Sequence, residues 1–127
     1  MGISKKKTKK SASIKSSPEH ELELNKQVLG DLERRISMNV GSFLVLTEEG
    51  DPTQIALAQA KAKSEFLKFG PEMHKIAHHL GGKLPQVVDA FLESIDSVLH
   101  CNVEWLDEEK ISKCYHTTQQ LESELRI

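Results

Sequence analysis

A chain of 127 residues with 38% hydrophobic and 5% aromatic side chains has the length of one domain, and its lean apolar content suits an elongated helical assembly. No apolar run approaches the ~20 residues of a membrane-spanning helix, and the basic N-terminus lacks the apolar segment of a secretory signal. The net charge of −2 hides an asymmetry: residues 1–17 carry six lysines and no acid, while the rest carries 11 Lys+Arg against 19 Asp+Glu.

Residues 1–17, MGISKKKTKKSASIKSS, are dominated by Lys and Ser. Such a segment cannot bury apolar area and is expected to be a disordered basic tail. Ser17-Pro18 then reads as a helix start: Ser accepts a free backbone N–H, and Pro loses nothing at a position whose N–H has no partner. From Leu22 a heptad is legible in Leu22, Asn25, Leu29, Leu32, Ile36, Asn39, Phe43 and Leu46. This is helical, coiled-coil-like spacing. Gly41 is a candidate break. The two Asn residues either fix register in an apolar seam or mark the edge of the buried face.

Gly50-Asp51-Pro52 is the clearest turn, with Gly50 expected in the left-handed end position and Asp51 capping the next helix. That helix is predicted from Pro52 to about Phe69, with Ile55, Ala58, Ala62, Phe66 and Phe69 on one face, paired with the first helix as a hairpin. Gly70-Pro71 is predicted to end it and to start a third helix, Pro71 to Leu80. Gly81-Gly82 stops that helix, and Leu84-Pro85 opens the next. Asp107, with Leu106 before it and Ile111 four after it, has the spacing of an N-cap with a hydrophobic staple. Ile111, Cys114, Thr118, Leu121 and Leu125 follow at helical spacing. No strand alternation is evident. The fold expected is all-α: an antiparallel bundle of four to five helices over residues 18–127, a single domain behind the tail.

Chemistry-bearing patterns are sparse. His74 and His78 are four apart on a helix and could chelate a metal, and His100-Cys101 and Cys114-x-His116 add further ligand types. Neither cysteine lies in a C-x-x-C arrangement, and both fall at apolar helical positions, where Cys is commonly a small core residue. The expectation is no metal and no cofactor. No nucleophile elbow, phosphate-cradling glycine loop or H-E-x-x-H is present, and Cys114 and His116 point away from one another on a helix. No catalytic residues are assigned.

The segment Lys75–Leu92, KIAHHLGGKLPQVVDAFL, resembles the DNA-binding helix-turn-helix pattern in the spacing of Ala77, Gly81 and Val87 and in its apolar positions Ile76, Leu80 and Ala90. The resemblance implies two short helices packed at an open angle, the second reading DNA. Gly82 stands where that pattern has an apolar residue. The second helix offers Gln86, Asp89 and Glu93, while phosphate contact needs cations.

The leading expectation is a non-enzymatic helical module for protein–protein interaction, an adaptor or small subunit that binds a protein partner or itself. Its partner surface is assigned to Leu29, Leu32, Ile36, Phe43, Leu121 and Leu125. The alternative is a nucleic-acid-associated protein with a basic arm and the helix-turn-helix-like corner. Attraction to nucleic acid or another anionic surface is placed in the tail alone, at Lys5, Lys6, Lys7, Lys9 and Lys10. Two free cysteines and the missing signal segment lead to the expectation of an intracellular protein, cytoplasmic, or nuclear through the Lys6-Lys7-Thr8-Lys9-Lys10 cluster.

Overall fold

The computed structural model describes residues 18–100 and 107–126. Ser17, Cys101, Leu106 and the lysines at 5, 6, 7, 9 and 10 lie outside the described residues, and with them the expected tail, the first cap and half of the staple.

The described residues form four helices: α1 (Pro18–Glu49), α2 (Pro52–Leu80), α3 (Leu84–Leu99) and α4 (Glu108–Leu125). There is no strand among them. α1 is continuous through Gly41, so no break forms there. Its inward stripe is Leu29, Leu32, Ile36, Val40 and Phe43, all buried. Asn39 is half-buried and donates from Nδ2 to the Arg35 carbonyl of its own helix at 2.8 Å, which places it at the edge of that stripe.

The turn between α1 and α2 is built as its residues suggest, with one correction. Asp51 Oδ1 accepts from the Gln54 backbone N–H at 2.9 Å, and Pro52 takes the first turn of α2. Gly50, however, is not left-handed; among the described glycines only Gly81 and Gly82 have positive φ. Its use is close approach: a Cβ there would stand 2.8 Å from the Leu46 carbonyl oxygen.

Gly70-Pro71 does not end a helix. α2 runs through it, and the two helices expected on either side are one. An interior proline costs about 3 kcal/mol by removing an N–H and crowding the carbonyl four residues back. Here that carbonyl belongs to Leu67, and both Leu67 and Pro71 are exposed, so water reaches the orphaned group. On the opposite side Ala62, Phe66, Phe69, Met73 and Ala77 form one uninterrupted inward face. Burial on both sides of the proline outweighs its local cost.

The helices pack in chain order. α1 lies along α2, α2 along α3, and α3 along α4, while α4 returns to α1 in a thinner seam. Glu21, near the start of α1, comes within 3.7 Å of His79, near the end of α2, so that pair runs antiparallel. The Arg35 guanidinium sits 5.4 Å from the Phe69 ring centre across the same interface. α3 is the most deeply set element, with Leu84, Val88, Phe91, Ile95, Val98 and Leu99 buried. Gln59 of α2 donates to the Leu99 carbonyl at 2.8 Å and so satisfies a carbonyl in the last turn of α3. Between α3 and α4 the buried hydroxyls of Ser94 and Thr117 are 2.7 Å apart, and each also reaches a carbonyl of its own helix. Asp107 caps α4 by accepting from Glu109 N–H.

Four of the six residues assigned from sequence to a partner surface belong to the inward stripe of α1. Leu29, Ile36 and Phe43 are fully buried and Leu32 nearly so; Leu121 of α4 is fully buried as well. Leu125 is half-buried against the same core. The apolar stripe needs a cover, and the chain's own helices supply it.

One acid shares this core. Glu33 is 2% exposed, accepts from Ser37 Oγ at 2.7 Å and faces Glu122 of α4. Burial raises its pKa, and repulsion from Glu122 adds to the rise; the Ser37 hydrogen bond only partly offsets them. An acid whose folded pKa lies above its unfolded value of ~4.3 weakens the fold once pH exceeds that value, because the chain must hold the charge in an unfavourable place. Glu33→Gln keeps the shape and the acceptor for Ser37. It is expected to stabilise the protein at pH 7 by roughly 0.5–2 kcal/mol, a gain that shrinks as pH falls toward the unfolded pKa. Urea unfolding of both proteins at neutral and acid pH checks this. An equal difference at both would show that the charge is not the cause.

Candidate functional site

The clearest gathering of chemistry-bearing side chains stands at the α2–α3 corner. His74 and His78 are one helical turn apart on α2, and their rings stack with centres 4.0 Å apart and planes tilted by 36°. Gly81 (φ 76°) and Gly82 (φ 65°) reverse the chain, and α3 carries Asp89 back to the same level. The carboxylate bridges the pair: Oδ1 lies 2.8 Å from His74 Nδ1, and Oδ2 lies 3.0 Å from His78 Nε2. All three side chains are about half exposed.

Burial of the Asp89 carboxyl works against its charged form. The hydrogen bonds from His78 and His74, and their positive charge when protonated, work the other way and hold it below the usual carboxylate range. The corner therefore presents a charged carboxylate between two imidazoles at neutral pH.

Among the described residues, the other ligand types considered from sequence do not join this group. His100 turns back on its own helix, with Nδ1 3.1 Å from Asp96 Oδ1. Cys114 is buried beneath Ser94 and Thr118; burial pushes its thiol pKa up, so it stays protonated and a poor nucleophile at neutral pH. His116 is exposed on α4. Among the described residues, His74, His78 and Asp89 are the one set of three His, Cys, Asp or Glu side chains able to hold a metal ion.

Sequence reasoning found the two histidines and missed the acid. A signal was present: His74 lies seven residues before Gly81 and Asp89 seven after Gly82. Equal arms about a tight turn place two residues side by side on antiparallel helices. The helix-turn-helix resemblance looks different in this light. Gln86, Asp89 and Glu93 are exposed on α3, and Asp89 is committed to the histidines of α2. The outward side of α3 is thus acidic where contact with DNA phosphates calls for cations.

The described residues define an all-helical fold in which four helices share one core. Comparison with protein-family models, with curated proteins and with solved structures finds no match, so no family is assigned. No helix among the described residues is long and apolar enough to cross a membrane.

Proposed function

We propose that this chain is a non-enzymatic protein–protein interaction module, an adaptor or small subunit, and that the outer side of α1 is its partner surface. The observation that carries this reading is a pair of apolar side chains facing water. Met38 and Val45 are 71% and 64% exposed and stand seven residues apart, opposite the buried stripe of the same helix. Single exposed apolar residues are ordinary. Two at heptad spacing, with Gly41 and Ser42 between them, make the kind of seam that a second helix packs against. The lysines at 5, 6, 7, 9 and 10 add an attraction to polyanions that weakens with salt.

The double variant Met38→Glu/Val45→Glu tests this surface. Both positions are exposed, so each substitution should change stability by no more than about 0.5 kcal/mol. Self-association in a sedimentation concentration series, or a crosslinked partner recovered from the native cell, should be lost. Association that survives both charges would refute the surface. A wild-type chain that stays a compact monomer and retrieves no protein would refute the module.

A further inference from the structure

We propose that His74, His78 and Asp89 form a three-ligand site for a divalent transition-metal ion of the zinc class, which would pin α3 to α2. The inference is independent of the partner surface on α1. Two imidazoles and one carboxylate are a donor set suited to zinc, cobalt or nickel, and less suited to magnesium or calcium, which prefer oxygen ligands. The geometry is close to what such an ion requires. All the ligand atoms lie within 4.8 Å of one another. In a tetrahedral site with bonds of 2.0–2.2 Å, neighbouring ligand atoms are spaced by about 3.3 Å. One carboxylate oxygen of Asp89 stands 2.8 Å from His74 Nδ1 and the other 3.0 Å from His78 Nε2, so small rotations of the rings and the carboxylate bring one oxygen and both nitrogens to that spacing.

The protons allow it as well. In a neutral imidazole, the ring nitrogen donating to Asp89 carries the hydrogen. Metal binding needs the lone pair there, and the hydrogen moves to the other ring nitrogen without change of charge. The carboxylate keeps its negative charge and exchanges two hydrogen bonds for one metal bond. Three protein ligands leave a fourth position, which water can fill because the corner is open to solvent. The three ligands come from two helices separated by the Gly81-Gly82 reversal, so the ion would close a short loop and would favour the folded chain over the unfolded one.

The test uses the full chain. Zinc chloride titration by calorimetry should give one saturable site, and cobalt chloride should give the visible absorption of a low-coordinate ion. His74→Ala, His78→Ala and Asp89→Asn should each lose roughly tenfold or more in zinc affinity, since even outer partners of a metal commonly account for that much. Melting of the three variants without metal should fall only slightly below the wild type, as expected for half-exposed ion pairs, and zinc should raise the melting temperature of the wild type alone. Cys101→Ser should bind as the wild type does. Three outcomes overturn the proposal: no saturable binding, equal affinity in the His and Asp variants, or loss of the site in Cys101→Ser alone.

Discussion

Phe43→Ala is expected to cost the isolated chain about 3–5 kcal/mol, the usual loss for a large aromatic truncated in a closed core. Phe43 is fully buried on the inward side of α1. Its removal forfeits the transfer energy of the ring and leaves a cavity that neighbours on a continuous helix cannot collapse to fill. Set against a total stability of roughly 5–15 kcal/mol for a domain of this size, the variant would lose a large share of its margin. Urea unfolding of the purified protein measures it. The result separates two roles for the same residue: a partner-facing Phe43 would leave the isolated chain as stable as before and weaken only its complexes. Met38→Glu/Val45→Glu should do the reverse, sparing the fold and removing the association.

Gly81→Ala is expected to destabilise the protein by about 1–3 kcal/mol, through the backbone alone. Gly81 holds φ 76° and ψ −153°, a region that L side chains rarely enter. Beyond its chain neighbours no heavy atom lies within 4 Å of the Cβ that alanine would add, so the source is the local backbone and not packing against another element. The residue also closes α2 by donating its N–H to the Ala77 carbonyl at 2.9 Å. The variant must give up either that bond or its favoured dihedrals. Thermal and urea unfolding would read the loss; a variant as stable as the wild type would mean that the corner takes another path.

What the sequence disclosed and what it hid divide along a physical line. Asp51-Pro52, Gly81-Gly82 and Asp107 mark true helix boundaries because caps and reversals are made by the residue itself and its next neighbours. Pro71 misled because its cost is local while the burial of Phe66, Phe69 and Met73 that overcomes it depends on α1 and α3. The heptad in α1 established that a face must be covered without saying by what, so Leu29, Leu32, Ile36 and Phe43 were assigned to a partner when the covering helices are the chain's own. Half of the metal-type cluster was visible as His74 and His78, one turn apart. Asp89 required the further step of folding the chain about Gly81-Gly82.

The order in which the helices pack bears on how the chain finds its structure. Each of the first three interfaces joins elements adjacent in sequence, so most contacts form by closing short turns. Chains of this kind belong to the fast-folding class, because little entropy is spent before contacts begin to repay it. The return of α4 to α1 joins elements far apart in sequence, and it is thinner than any of those three. The cost of closing a loop rises only with the logarithm of its length. A thin seam can therefore complete the ring, but it is poorly placed to start it. Assembly is therefore expected to run from the hairpins outward, and substitutions in the α1–α4 seam should then change the unfolding rate more than the folding rate.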